Sequence, residues 1–275
     1  MEPFSLTSKE FFTIESWMEQ SPGLLAGFST KNGGISNGDY FGLNFGFHVG
    51  DAEKAVCGNR VLFSEKVDFP LTCWIGAEQT HEVYIQKVSK ADRGRGANNY
   101  HTSFKATDGF YTRDKGTLLT LCFADCVPLY FFDVKAGIIG LAHAGWKGTV
   151  AGIGKEMISL FVKNGSSLEN ISVVIGPSIC KKCYIVDRKV IDLAEKILVG
   201  VEKKPYNQIS EGQYSLDLKE TNKLILMSAG IKEDNILPTN LCTSCNSNHF
   251  YSHRKDGGNT GRMIAFIGWK EDFHP

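Results

Sequence analysis

"ADCVPLYFFDVKAGIIGLAHAGWKGT", residues 124–149, holds two apolar runs rich in β-formers, VPLYFFD and GIIGLAHA, separated by a short polar break. That pattern predicts a β-hairpin turning within "DVKAG" at 133–137. Cys126 and His143 are equidistant from a point between Val134 and Lys135. A tight turn there places them opposite each other, or one step diagonal, on adjacent strands. Opposite residues on one face have Cβ atoms about 4.5–5.5 Å apart, close enough for two ligands of one metal ion. Pro128 removes a ladder donor and predicts an edge or an opened strand end beside Cys126. A cysteine facing a histidine makes either a metal site or a nucleophile–base pair.

The end of the same stretch adds a second feature. Gly145 and Gly148 allow a close backbone approach, Lys147 lies between them, and a helix is expected from Thr149. Free N–H groups at a helix start can bind an anion, so the reading places a phosphate site there with Lys147.

Outward from the hairpin, "LLTLCFA" is a third apolar run with strand character. "LLAGFST" (24–30), "ISVVIGP" (171–177) and "RMIAFIGW" (262–269) also read as strands, with shorter strand-like pieces on either side of His81. Helical apolar spacing covers 51–67, 149–165, 187–200 and 217–230, the last three closed by glycine. Residues 31–51 are rich in Gly and Asn and form a shaped loop. The fold class expected is α+β, with mixed α/β layers and central, mixed, hairpin-rich sheets flanked by helices. Functional-looking polar segments recur from Gly33 to Arg262, so 1–275 is read as one domain.

With 42% apolar and 22% charged residues, the chain can bury a full core. Its 30 basic residues balance 30 acidic ones, so no global field draws it to nucleic acid or an anionic membrane. No apolar run is long enough to span a bilayer, and the acidic N-terminus does not resemble a signal peptide. A cytoplasmic, reduced protein is expected, and its eight cysteines are then thiols rather than a disulfide framework.

A metal site needs a third ligand. His81 in "EQTHEVY" competes with His48, His101, His249 and His253, and spacing does not choose among them. The pairs Cys180-x-x-Cys183 and Cys242-x-x-Cys245 have the internal spacing of a four-cysteine zinc site. The long segment between the pairs holds two helices, so the expectation is four ordinary thiols in loops near the active face. "FYSHRKDGGNTGRM" (250–263) sets Arg254, Lys255 and Arg262 around a glycine turn, where an arginine fork suits phosphate or carboxylate.

The blocks "QTHEV", "TDGFYT", "ADCVPLYFFD", "GLAHAGWKGTVAGI", "IGPSICKKCYIV" and "FYSHRKDGGNTGRM" resemble, in order, those of the YfiH-like laccase-domain family. "GFSTKNGGIS", "GLNFGFHVGD" and "NR" at 59–60 extend the resemblance from Gly27 to Gly268. Members of that family, first labelled multicopper polyphenol oxidases, are regarded as zinc-dependent purine nucleoside phosphorylases. Adenosine deaminase and methylthioadenosine phosphorylase activities accompany this. The resemblance implies one zinc per chain, held by His81, Cys126 and His143, with adenosine, inosine, guanosine, methylthioadenosine and phosphate as substrates. Two histidines and a thiolate leave a fourth position for water, whose pKa such a zinc lowers toward about 7. Lys147, Arg254 and the helix start at Thr149 are candidates to hold phosphate. Asn44, Asp125 and Asp108 are candidates for sugar or base contacts and proton transfer. "HRKDG" carries lysine where the family usually has arginine. Cys180 and Cys245 look less typical of it, which weakens the four-cysteine site further.

Three rivals stand beside this reading. Copper also accepts two histidines and a cysteine, but seven scattered histidines without a His-x-His are too few for a multicopper oxidase. A metal-free hydrolase or deamidase would use Cys126 as nucleophile and His143 as base; the family fold also resembles that of a glutamine-deamidating toxin. A zinc protein that binds purines without turnover is the third. A cytidine-deaminase-type site is disfavoured, since neither H-x-E nor P-C-x-x-C occurs.

Overall fold

Val127–Asp133 and Ile138–Ala144 form the expected antiparallel hairpin. Val127 pairs with Ala144, Pro128 with His143 and Asp133 with Ile138, so the turn is Val134 to Gly137. It is centred one residue later than the sequence implied. Cys126 therefore stands across from Gly145 and one diagonal step from His143. The computed structural model in which this is seen describes residues 2–271.

The hairpin's lack of polar alternation has a simple cause. Leu129, Phe131 and Ala142 face one side, with Met157 and Phe161 of a covering helix. Tyr130, Phe132, Ile139 and Leu141 face the other, against a second sheet. A strand buried on both faces reads as a continuous apolar run. Gly140 fits because a Cβ there would stand 2.9 Å from both Met157 Sδ and the Phe161 ring.

The hairpin's sheet has six strands, in spatial order Ile236–Pro238, Ser172–Ile175, Val127–Asp133, Ile138–Ala144, Gly109–Thr112 and Ile85–Lys87. Its two outermost pairings are parallel and the rest antiparallel. The second sheet also has six, in the order Ser5–Ser8, Phe11–Thr13, Leu24–Ser29, Met263–Trp269, Thr117–Phe123 and Trp74–Ile75. Helix Glu53–Lys66 covers its outer face, where Phe63, Trp74, Leu118 and Phe266 meet. Helices Ile153–Lys163 and Leu218–Ser228 cover the outer face of the hairpin's sheet. The layers are helix, sheet, sheet, helix, an α+β fold with mixed, hairpin-rich sheets.

Two features differ from the sequence reading. The helix expected from Thr149 begins at Trp146 and is interrupted at Gly152, whose φ of 88° separates Trp146–Ala151 from Ile153–Lys163. A small antiparallel sheet of Ile185–Asp187, Gln213–Leu216 and Tyr206–Ser210 forms where no strand was read from the sequence. The helices Arg188–Ile197 and Leu218–Ser228 fall within their expected spans, capped by Asp187 and Asp217, whose side chains accept from Val190 N and Glu220 N. Among the described residues, no helix is long and apolar enough to cross a membrane.

Candidate metal centre and pocket

Thr117–Phe123 lies in one sheet and Val127–Asp133 in the other, so the chain changes sheets at Ala124–Asp125–Cys126. Asp125 turns that corner with a φ of 80°. The chain makes a similar crossing between Trp74–Ile75 and Ile85–Lys87, and His81 lies on it with a φ of 64°. A left-handed backbone at a non-glycine residue is held only by surrounding structure. Asp108 does the holding at His81: its carboxylate accepts the backbone N–H of Thr80 (3.0 Å), His81 (3.1 Å) and Glu82 (2.9 Å).

The same carboxylate meets the hairpin. Asp108 Oδ1 lies 2.8 Å from His143 Nδ1, both residues buried, and His143 N donates to Asp108 O. With Nδ1 so engaged, Nε2 is the nitrogen left for Cys126. His81, Cys126 and His143 present ligand atoms that all lie within 4.8 Å of one another. Gly145 makes room: a Cβ there would sit 3.0 Å from Cys126 Sγ and 3.1 Å from His81 Cδ2.

The protonation states are linked. Burial would raise the Cys126 pKa, but His143 and His81 reverse this and bring it down to about 6. Burial would lower the His143 pKa, but Cys126 and Asp108 push it up to about 9. Each group favours the charged form of the other, so the two favour a thiolate–imidazolium pair.

These side chains floor a cavity of about 440 Å³, walled by Trp146, Tyr184, Arg254 and Arg262. That volume is in the range of small-molecule sites. Arg254 Nη1 donates to Ile185 O (2.8 Å), and its guanidinium lies 5.0 Å from the Tyr184 ring centre. Arg262 Nη1 donates to the carbonyls of Thr260 and Gly261. His48 also lines the cavity; burial, then Arg262 and Arg60, lower its pKa to about 4, so it is neutral.

The remaining sequence candidates are dispersed. Asp125 lines the cavity and accepts from Thr243 Oγ1 (2.6 Å), Ser252 Oγ (2.8 Å) and Arg254 N (2.7 Å). Asp108 lies behind His143. Asn44 is fully buried, its side chain bound to Asp51, Gly46 N and Arg262 N. Lys147 is exposed beside the Trp146 ring. The helix start expected at Thr149 lies at Trp146 instead: Thr149 N–H donates to Gly145 O inside the helix, and its hydroxyl accepts from Asn222. Tyr184 and Trp146 were not singled out from sequence. Their only signal was proximity to "ICKKC" and "HAG", since aromatic residues in this chain more often fill its core.

The family model described as multi-copper polyphenol oxidoreductase laccase matches residues 25–270. The chain belongs to this family. A purine nucleoside phosphorylase named YlmD from Bacillus subtilis (strain 168) is 47% identical over 273 residues, 98% of each chain. A second of that name, from Geobacillus stearothermophilus, is 47% identical and covers 91% of this chain and 92% of its own. The crystal structure of YlmD from Geobacillus stearothermophilus superposes with a TM-score of 0.94 at 44% identity, covering 98% of this chain and 100% of that one. The family likeness thus extends through the His81 and Cys126 crossings, the strand that carries His143 and the loops that wall the cavity.

Proposed function

We propose that the chain is a zinc-dependent purine nucleoside phosphorylase acting on adenosine, inosine, guanosine and methylthioadenosine, with adenosine deaminase activity besides. The observation that carries this is the convergence of His81, Cys126 and His143 at the floor of a nucleoside-sized cavity bearing Arg254 and Arg262. The relatives' names supply the reaction class.

The donor set fits zinc: two imidazoles and a thiolate, with His143 oriented by a buried carboxylate, are the ligands and outer support such an ion takes. A zinc ion held by His81, Cys126 and His143 would supply a Lewis acid. The chain does the rest. Asp108 fixes the His143 ring and the His81 turn together. The Arg254 fork has Nε and Nη2 left for phosphate, and Arg262 adds a second positive charge. Tyr184 and Trp146 offer ring faces to a purine. Asp125 ties the Thr243, Ser252 and Arg254 segment to the corner that carries Cys126. In this reading Asp108 and Asp125 position the site.

Products from adenosine, inosine and methylthioadenosine, separated with and without phosphate, test the proposal. Free base and a ribose 1-phosphate are expected only with phosphate, and Cys126→Ala should lose the zinc of the His81–Cys126–His143 cluster together with activity. Phosphorolysis undiminished after complete metal removal would reject the zinc requirement. No base release from any nucleoside would reject the function. A second reading, a metal-free Cys126–His143 hydrolase, is favoured by the thiolate–imidazolium pair. It predicts activity that survives chelation and is abolished by alkylating Cys126.

A further inference from the structure

Cys180, Cys183, Cys242 and Cys245 do not lie apart in separate loops. Strands Ser172–Ile175 and Ile236–Pro238 are parallel neighbours, with Ile175 beside Pro238. The two turns therefore leave the same end of the same sheet. The pairing continues past the strands, through a bridge between Ser178 and Cys242 and a bond from Thr243 N to Ser178 O. The helices Arg188–Ile197 and Leu218–Ser228, with the small sheet, are an excursion between these adjacent strands. That is why a long insertion does not separate the pairs.

The four sulfurs lie within 4.8 Å of one another. Cys183 Sγ is 3.4 Å and Cys180 Sγ 3.9 Å from Cys245 Sγ. A tetrahedral ion with metal–sulfur bonds of about 2.3 Å sets its sulfurs about 3.8 Å apart. A disulfide needs about 2.05 Å, and all four cysteines are free. Backbone N–H groups of Cys180 (3.2 Å) and Cys245 (3.4 Å) donate to Cys242 Sγ, as they would to a thiolate ligand. Packing does not account for the group, since only Cys242 is buried and Cys245 is exposed. Lys219, 8% exposed, holds its ammonium on the carbonyls of Thr239 (2.8 Å) and Leu241 (3.0 Å), beside the turn that leads to Cys242. A cation there offsets the net negative charge of a zinc tetrathiolate.

We propose that Cys180, Cys183, Cys242 and Cys245 bind a structural zinc ion, separate from the His81–Cys126–His143 cluster, that staples the two loops walling the cavity. Tyr184 follows Cys183 directly, and Ile179 N donates to Asp125 O (3.0 Å). On the other loop, Thr243 Oγ1 donates to Asp125 Oδ1. The staple thus fixes the spacing of Tyr184 and Arg254. The four-thiolate site stands or falls independently of the phosphorylase reading, because its ligands belong to neither the cavity floor nor the reaction.

Elemental analysis of protein prepared under reductant, without chelator, tests it. Cys126→Ala should retain one zinc per chain, and Cys180→Ser and Cys245→Ser should each hold one zinc fewer than the unaltered protein. If the serine variants fail to fold, the unaltered protein still decides: five thiols, Cys126 and these four, should become reactive toward a disulfide reagent when a strong chelator is added, and only one if the four bind no metal. Cobalt loaded into Cys126→Ala should show the intense visible bands of a tetrathiolate. Zinc content unchanged in Cys245→Ser overturns the proposal. So do rapid alkylation of Cys245 in the native protein without metal release, an intact mass showing a disulfide among the four, and iron in place of zinc.

Discussion

Asp108 shows how much one side chain can settle. Its carboxylate accepts three successive backbone N–H groups of the His81 turn and meets His143 Nδ1. An amide has one acceptor oxygen, and its NH₂ would confront N–H donors. Asp108→Asn should therefore release the left-handed turn at His81 and loosen the His143 ring. Loss of such outer support typically costs 10–100-fold in metal affinity. Competition against a chromogenic chelator measures this directly, and an affinity equal to that of the unaltered protein would remove Asp108 from the metal site's support. From sequence, Asp108 was a candidate for sugar or base contacts and proton transfer. Its backbone partners could not be read, since no sequence pattern marks an aspartate that folds a distant turn.

At the scale of elements, strand and helix spans followed the apolar periodicity, and the departures have local causes. Gly152 breaks the helix because its φ of 88° is left-handed, with the nearest atom to an added Cβ, Ile197 Cδ1, at an ordinary 3.6 Å. The cost of alanine there is conformational rather than steric. Gly152→Ala should destabilise the fold by about 1–2 kcal/mol, a fall in Tm of roughly 2–8 °C. Metal content should not change, because the break lies on the far side of Trp146–Ala151 from the ligands. Calorimetry with elemental analysis checks both, and an unchanged Tm would mean the helix closes without strain. The glycine-rich loop 31–51 has an equally local logic. Asn59 Nδ2 donates to Ser36 Oγ, Gly42 O and Asn44 O, so a helix side chain stands in for a missing strand partner.

Across the whole molecule, the site lies where the chain passes from one sheet to the other, and where two loops from adjacent strands of the hairpin's sheet close over that end. Arg254 is held at the cavity by Asp125, which accepts its backbone N–H, and by Ile185 O, which accepts from Nη1. On the phosphorylase reading, Arg254→Ala removes a charge-assisted hydrogen bond worth about 1.5–3 kcal/mol. Phosphorolysis of inosine should fall about ten- to a hundredfold with a raised phosphate requirement, while adenosine deamination, which consumes no phosphate, falls much less. Equal losses at an unchanged phosphate dependence would assign Arg254 to the nucleoside or the fold. The sequence by itself determined the hairpin, the main helices, the continuous burial of the central strands and the Cys126–His143 pair, because apolar runs of β-formers, 3.6-residue periodicity and turn chemistry act over neighbours. It left His81 one of several histidines, held the two cysteine pairs apart and set the helix start at Thr149 rather than Trp146. Tertiary structure decided these, because His81 meets Cys126 across a change of sheet, and Cys180 meets Cys245 through parallel pairing of strands 236–238 and 172–175. Such pairings join residues far apart in the chain, and no local pattern encodes which strands become neighbours.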